Sequence, residues 1–387
     1  MSSINNYGGN KNRQVEATGF FRIEKTKERS FLVDPEGNEF VTIGLNHTDE
    51  TNLKYEHNFE IWKKKYGSRK NWIKGLVKDL KDWGFNTIGW TSEYISGDWG
   101  KALDWFGDPI NLGHSMPWTI ADYKIADMPY VLQLRIAEME DWNGYPHFPD
   151  VHSEEFEAYC EYLGRSICQD YADDKNLIGY FLVDIPAWLP HASGKDFEVL
   201  KGLDERTRNI KVYDVAYKYY ETITKYIRKY DPNHLILGDR YNGNKGIPNA
   251  VLAAMKPFVD VLSVQYFPSN NPEGYSKMRE DLAKWQEITG KPVILADIGN
   301  WCQTCMNPNR VSEIKDQSGR ALDYINSLSP LLEESWFLGW HWCAHLENKA
   351  RGWGIKDPFD EPYHDFINPV KEFNKNIYEK SKVMTKS

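Results

Sequence analysis

Eight short apolar runs recur along the chain, and helical or long irregular segments separate each run from the next. The runs occupy residues 41–45, 85–90, 130–134, 177–183, 234–238, 259–264, 292–296 and 336–340. Continuous apolar runs are typical of strands buried on both faces, and connections of this length are too long for hairpins. The pattern therefore predicts parallel strands joined by crossover helices, and eight such strands close into a single (β/α)8 barrel.

A hairpin is predicted ahead of the barrel. Residues 19–40, GFFRIEKTKERSFLVDPEGNEF, contain two apolar segments and a D-P-E-G-N turn. We expect residues 1–18 to form a polar leader and residues 19–387 to form one barrel domain with the hairpin and a C-terminal helix, because no repeat or Pro-rich linker divides them. A doubly wound open sheet has the same alternation, but the glycine-rich phosphate loop of such sheets does not follow the first run.

Charge and hydropathy exclude two classes of partner. The net charge of −9 offers no basic field for nucleic acid. The sequence has no uninterrupted run of 18 apolar residues, which is about the length needed to cross a membrane. The polar N-terminus predicts a cytoplasmic protein, or a secreted or periplasmic one whose signal peptide has been removed. Five cysteines do not suggest a disulfide framework, and the lone C-x-x-C of Cys302 and Cys305 has no second ligand pair for zinc. We predict neither a metal nor a cofactor, and the sequence does not indicate an oligomeric state.

The aromatic content points toward sugars. The chain has 15 Trp and 23 Tyr, and the C–H face of a pyranose packs well on an aromatic ring whose edge still hydrogen-bonds. A large apolar core is the alternative use for each of these rings.

Polar and aromatic residues follow the apolar runs, at the barrel end where active sites of this fold lie. Arginines among them would suit a charged sugar through bidentate pairing. The predicted substrate-binding residues are Asn46, His47, Trp90, Arg135, Trp188, Arg240, Gln265, Tyr266, Trp301, His341, Trp342 and Glu347.

Two aspartates close the fourth and seventh runs, Asp184 and Asp297. Glycoside hydrolysis needs one carboxylic acid to protonate the leaving oxygen and a second carboxylate on the other side of the anomeric carbon. Strands 4 and 7 lie across the ring from each other, so we predict Asp184 as general acid and Asp297 as nucleophile or base. The alternative for Asp184 is a cap on the following loop. Glu93 and Asp239 are reserve acids, expected to pair with arginines.

Several segments, in order, resemble the retaining glycoside hydrolases of the large (β/α)8 clan, and among them β-agarases and related exo-acting galactan hydrolases. These segments are GFNTIGWTSE, NLIGYFLVDIPAW, HLILGDRYNG, VDVLSVQYF, KPVILADIGNW and FLGWHWCAHLENKARGWGIKDPFDEPYHDF, and the resemblance covers residues 19–366. It implies polysaccharide degradation by cleavage of O-glycosyl bonds, on a galactan-type or acidic, algal-like oligosaccharide.

The chain departs from that family at both carboxylates. The family carries Asn-Glu at the end of strand 4 and Glu at the end of strand 7, where this chain has Val183-Asp184-Ile185 and Asp297. Aspartate is one methylene shorter, which shifts the pair from the close spacing of retaining enzymes toward the wider inverting spacing. Two alternatives follow: a barrel that binds sugars without hydrolysing them, because the acid/base Glu is lost, and a metal-dependent barrel enzyme. Against the latter, His47 and His341 lack an H-x-H or H-E-x-x-H spacing.

Overall fold

The computed structural model describes residues 3–48, 56–91, 118–144, 146–347 and 353–380. Its strands are β1 Asn10–Gln14, β2 Arg22–Lys25, β3 Ser30–Val33, β4 Asn38–Phe40, β5 Thr42–Leu45, β6 Thr87–Ile88, β7 Tyr130–Gln133, β8 Leu177–Asp184, β9 Leu235–Asn242, β10 Leu262–Gln265, β11 Val293–Ile298 and β12 Phe337–Trp342. Its α-helices are α1 Glu56–Lys65, α2 Arg69–Asp82, α3 Ile120–Ala126, α4 Glu154–Leu163, α5 Gln169–Tyr171, α6 Glu205–Tyr230, α7 Asn249–Met255, α8 Pro272–Thr289, α9 Gln317–Leu328, α10 His364–Lys375 and α11 Ile377–Lys380.

Strands β5 to β12 form a closed parallel barrel in sequence order, and β12 pairs with β5 to complete the ring. Each of the eight predicted apolar runs overlaps one barrel strand, so the predicted (β/α)8 barrel is confirmed. Strand β9 runs past its apolar segment through Asp239 and Arg240, because its ladder with β8 continues to the pair Asp184 and Arg240. The polar strand ends are therefore part of the sheet, which fixes their side-chain directions.

The N-terminal region is larger than the predicted hairpin. Strands β2, β3 and β4 are consecutive, with the predicted D-P-E-G-N turn between β3 and β4, and β1, from within the polar leader, adds to β4 to make an antiparallel sheet of order β1-β4-β3-β2. Phe21, Leu32 and Phe40 of this region pack with Ile178 and Leu338 of the barrel strands. The sheet therefore covers one end of the barrel, and the opposite end is left for the polar strand ends.

Helix boundaries follow local capping chemistry. Asp204 caps α6 by accepting a hydrogen bond from the Thr207 N–H, and Asn271 caps α8 ahead of a proline in its first turn. Gly290 ends α8 with a φ of 65°, a conformation that glycine adopts without steric cost. The apolar faces of the helices pack on the outer face of the barrel in one continuous core. Among the described residues, no helix is long and apolar enough to cross a membrane.

Candidate active site

Four neighbouring strands, β8 to β11, end in polar side chains that point into the barrel. Asp184 pairs in register with Arg240, and Gln265 pairs in register with Asp297. Because side chains alternate between the two faces of a strand, this register sends all four toward the same interior space. The two predicted catalytic aspartates therefore lie in one cluster, at the end of the barrel opposite the N-terminal sheet, and they are 3% and 5% exposed.

Arg240 joins the two aspartates. Its Nη1 donates to Asp184 Oδ1 at 2.7 Å, and its Nη2 lies 3.4 Å from Asp297 Oδ2 and donates to the Ala296 carbonyl at 3.0 Å. Both carboxylates contact one guanidinium, so these oxygens lie within roughly 9 Å of each other, inside the range of glycosidase carboxyl pairs. The guanidinium also lies 4.6 Å from the centroid of the Trp90 ring, which is a cation–π contact between two buried side chains.

Asp184 is surrounded by donors. Besides Arg240, the Gln265 amide donates to Oδ1, and Trp142 Nε1 donates to Oδ2 at 2.9 Å. Burial raises the pKa of Asp184, while Arg240, Trp142 and Gln265 oppose that rise because each stabilises the anion. The donors fill both oxygens, so the arrangement is built for an ionised carboxylate.

Asp297 also has several donors near its carboxylate, from Arg240, Asn46 and Cys343. Asn46 Nδ2 donates to its Oδ1 at 2.8 Å, and Asn46 is held in turn by the Trp90 N–H, which donates to Asn46 Oδ1 at 2.8 Å. Burial raises the pKa of Asp297 to about 7, against the opposing effects of Arg240 and Asn46. A buried carboxylate with a raised pKa in a cluster of polar groups is a candidate for a reacting group.

His47 and Cys343 complete the surroundings of Asp297. The His47 backbone has a φ of 54°, and its ring lies 5.2 Å from the Trp90 ring. The possible metal-ligand atoms of His47, Asp297 and Cys343 lie within 4.8 Å of one another, and among the described residues this is the group that could hold a metal. Arg240 already supplies a positive charge to Asp297, which disfavours a second cation there, so we assign no metal to this group.

His341 lies deeper than predicted. Its side chain is fully buried, and its Nε2 lies 3.0 Å from the Thr42 hydroxyl near the start of β5. Burial, together with the smaller effect of the Arg240 charge, lowers the pKa of His341 to about 3. A neutral imidazole below the carboxylates supports the barrel interior; this placement corrects the expectation that it holds a sugar hydroxyl.

Two predicted sugar contacts, Trp342 and Tyr266, face away from the mouth of the barrel. Trp342 packs on Tyr324 and Phe366 between barrel and helices, with ring centroids 4.6 and 6.0 Å apart. Tyr266 donates to Asp281 of α8 at 2.7 Å. Trp342 and Tyr266 each follow a residue that points inward, so strand alternation turns them outward.

Trp188 is also part of the packing and not of the pocket wall. Its ring stacks on Phe197 at 5.3 Å and its Nε1 lies 3.4 Å from Asp239 Oδ2. Trp188, Trp342 and Tyr266 therefore have the alternative use that the sequence analysis left open for each ring, which is packing in the apolar core.

Two further predicted residues lie in the loops above the strands. Trp301 is partly exposed, with its ring 5.5 Å from that of Trp353. Glu347 is buried and accepts hydrogen bonds from Thr304, from Asn307 at 3.1 Å and from Tyr363. Glu347 therefore ties the loops after β11 and β12 to the start of α10, which corrects the expectation of a charge that contacts sugar.

Arg135 and Asp239 have partners other than those predicted. Arg135, at a φ of 51°, donates from Nε to Glu140 at 3.1 Å. Asp239 points outward and accepts from the hydroxyls of Tyr219 and Tyr220. Glu93, the other reserve acid, lies outside the described residues.

A cavity of about 660 Å³ opens beside Arg135, between the loop after β7 and helix α4. Its lining includes Phe148, Phe156 and Tyr159 but neither Asp184 nor Asp297. The converging carboxylates, and not this cavity, define the candidate active site, because chemistry needs the reactive groups at the bound substrate.

The sequence analysis missed two residues in the loop after β7. Trp142 hydrogen-bonds Asp184, and Glu140 is buried close enough for the Asp184 charge to raise the pKa of Glu140. The signal was present in the segment EMEDW at residues 138–142, where three acids and an indole follow the third strand.

Comparison with known proteins supports the resemblance that the motifs suggested. No family model matches the chain. Beta-agarase B of Vibrio sp. (strain JT0107) is 22% identical over 478 residues, which cover 94% of this chain and 49% of that protein. The chain therefore spans about half the length of this curated relative.

Solved structures of two agarases superimpose on the chain. An agarase crystal structure covers 98% of this chain and 67% of its own, with a TM-score of 0.73 and 18% identity. An exo-beta-agarase covers 99% of this chain and 68% of its own, with a TM-score of 0.72 and 16% identity. The resemblance to β-agarases is confirmed, and the structural likeness establishes the shared barrel.

Proposed function

We propose that the protein is a glycoside hydrolase that cleaves agar-type galactan oligosaccharides. One observation carries the proposal: Asp184 and Asp297, from strands 4 and 7, meet on a single guanidinium inside the barrel. Glycoside hydrolysis needs a carboxylate at the anomeric carbon, opposite a proton donor, and in this proposal Asp297 is that carboxylate. The sequence relationship to a β-agarase names the substrate class.

The sugar is a neutral galactan in this proposal. The sequence analysis allowed an acidic sugar because two arginines were expected at the mouth. Arg240 is instead balanced by Asp184 and Asp297, and Arg135 is paired with Glu140. A uronate or sulfate would have to compete with these buried carboxylates for the same guanidinium groups.

Asp297 acts as nucleophile or base, opposite a proton donor. Burial raises the pKa of Asp297 to about 7, and the Asn46 amide fixes the direction of its carboxylate. The remaining predicted contacts that stay at the cluster are His47, Trp90 and Gln265, which orient the carboxylates and the guanidinium.

The test is incubation of the purified protein with agaro-oligosaccharides of increasing length, with sulfated galactans and uronans as matched negatives. We expect cleavage of the agar series alone. Release of one product size from the first minutes would support the exo-acting mode, by analogy with the exo-beta-agarase neighbour. Cleavage confined to the charged polymers would reject the neutral-galactan assignment.

A second candidate is a barrel that binds these sugars without cleaving them. The residue after Asp184 is Ile185, so Asp184 is the one carboxylate at the end of β8. Both of its oxygens already accept hydrogen bonds, which favours this candidate. Calorimetric binding of an agaro-oligosaccharide, with no product after prolonged incubation, would support this candidate over the hydrolase.

A further inference from the structure

We propose that Glu140, delivered by the loop after β7, is the general acid that protonates the leaving oxygen. The inference rests on the proposed hydrolase function and names the proton donor of the same site. It replaces the sequence-based assignment of that role to Asp184, and leaves Asp184 as the fixed anion that holds Arg240 and Gln265.

The loop after β7 places Glu140 at the end of strand 4. The Asp141 N–H donates to the Ile185 carbonyl at 2.8 Å, and the Ala187 N–H donates to the Met139 carbonyl at 2.9 Å. Glu140 itself forms an antiparallel bridge with Pro186. Residues 139–141 therefore run along residues 185–187, directly beyond Asp184.

The surroundings of Asp184 disfavour the protonated carboxyl that a general acid needs. Three donors, from Arg240, Gln265 and Trp142, point at its two oxygens. Protonation would turn one oxygen into a donor facing a donor, which removes a hydrogen bond to a charged group. The carboxyl that cycles between acid and base should have a free position instead.

Glu140 has that position. Its Oε1 accepts one hydrogen bond, from Arg135 Nε at 3.1 Å, and its Oε2 is buried with no hydrogen-bond partner among the described residues. Burial raises the pKa of Glu140 to about 7, opposed by Arg135 and supported by the nearby charge of Asp184. A carboxyl with a pKa near neutrality holds its proton long enough to donate it and can then act as base.

The reaction balances with Glu140 and Asp297 on opposite faces of the sugar. The glycosidic C1–O bond breaks, its electron pair leaves with the oxygen, and the Glu140 proton goes to that oxygen. If Asp297 bonds to C1, a water later displaces it and returns a proton to Glu140. If Asp297 instead takes a proton from the water that attacks C1, that proton exchanges through solvent and Glu140 is reprotonated.

The experiment compares two substrates in three variants. The substrates are an agaro-oligosaccharide, whose leaving group needs a proton, and 2,4-dinitrophenyl β-galactoside, whose leaving group does not. The variants are Glu140→Gln, Asp184→Asn and the control Glu138→Gln, which alters a more exposed carboxyl of the same loop. Circular dichroism and thermal unfolding verify that each variant is folded.

For Glu140→Gln we expect kcat on the oligosaccharide to fall about 10²–10⁴-fold, with less than about a tenfold loss on the aryl galactoside. The alkaline limb of the wild-type kcat/KM profile should also disappear. In Asp184→Asn, kcat should fall to a similar extent on both substrates, and in Glu138→Gln it should equal the wild-type value on both.

Three results would overturn the assignment. Equal losses on both substrates in Glu140→Gln would make it a structural residue, and unchanged rates would remove it from the reaction. The selective pattern appearing in Asp184→Asn would return the acid role to Asp184. A wild-type protein inactive on both substrates would instead reject the hydrolase function itself, and the acid assignment with it.

Discussion

Strand β9 separates two clusters of buried carboxylates, one on each of its faces. On the outer face, Asp239 accepts from Tyr219 at 3.0 Å and Tyr220 at 2.6 Å, with Trp188 Nε1 at 3.4 Å. Burial raises the pKa of Asp239 to about 6, although the two tyrosines lower it. This outer cluster fastens helix α6 to the barrel and has neutral side-chain partners.

On the inner face, Arg240 holds Asp184 and Asp297 at the barrel mouth. Burial raises the pKa of Asp297 to about 7, close to the value at Asp239. The comparison teaches that a buried aspartate with a raised pKa does not by itself mark a catalytic group. The direction of the side chain and the presence of a charged partner separate the inner cluster from the outer one.

The largest expected effect is on turnover, at Asp297. Asp297→Asn keeps the Asn46 contact but removes the nucleophile or base, so kcat on agaro-oligosaccharides should fall about 10³-fold or more. Asp239→Asn, the matched change on the outer face, should keep kcat within about tenfold, because Asp239 never faces the substrate. Steady-state kinetics on both variants provide the comparison, and equal losses would erase the distinction between the two faces.

The next effect is on stability, at Arg240. Arg240→Met leaves Asp184 and Asp297 buried without their shared cation, and breaking a buried pair in this way costs about 3–5 kcal/mol. The free energy of unfolding from urea titration at pH 7.5 gives the value. The control is Arg228→Met, whose half-exposed pair with Asp260 should contribute below about 1 kcal/mol. An Arg240 loss as small as that of Arg228 would show that the inner cluster does not depend on its charge.

The barrel was predictable because its signal is repeated. Apolar runs of strand length recur eight times. Strands of this kind must be buried on both faces, and few folds other than a barrel surrounded by helices bury eight of them in this way. The four-stranded N-terminal sheet was predicted only in part, since β1 is a polar segment, NKNRQ, with one buried residue. Its pairing with β4 depends on a contact that no local pattern encodes.

The site was predictable where only position along the chain mattered. Asp184, Arg240, Gln265 and Asp297 follow their apolar runs and do meet. Trp342 and Tyr266 do not, because a residue that follows an inward one turns outward, and the sequence analysis did not apply that alternation. Glu140 was missed because its approach to β8 results from loop pairing beyond β7.

A smaller stability change is expected at the outer cluster. Asp239→Asn replaces an acceptor of several hydrogen bonds with an amide whose NH₂ faces a tyrosine hydroxyl or the Trp188 donor. One buried group left poorly satisfied costs about 1–3 kcal/mol. Urea unfolding of Asp239→Asn at pH 7.5 measures the loss, and Tyr220→Phe should produce part of it. A variant as stable as wild type would show that the outer cluster does not fasten α6.

The smallest effect is in the pH dependence of stability, which should differ between the clusters. The folded pKa of Asp297, about 7, lies above the unfolded value of about 3.9. Between those values the folded state binds more protons, so the stabilising contribution of neutral Asp297 is complete below about pH 4 and is lost as pH rises through 7. For Asp239 the same loss ends near pH 6. Unfolding free energies from pH 4 to pH 8 should therefore decline less steeply in Asp297→Asn than in wild type above pH 6, whereas Asp239→Asn should differ from wild type in slope only below that pH. Parallel curves for the two variants would mean that the inner and outer carboxylates titrate alike, and that Arg240 and the tyrosines offset burial to the same extent.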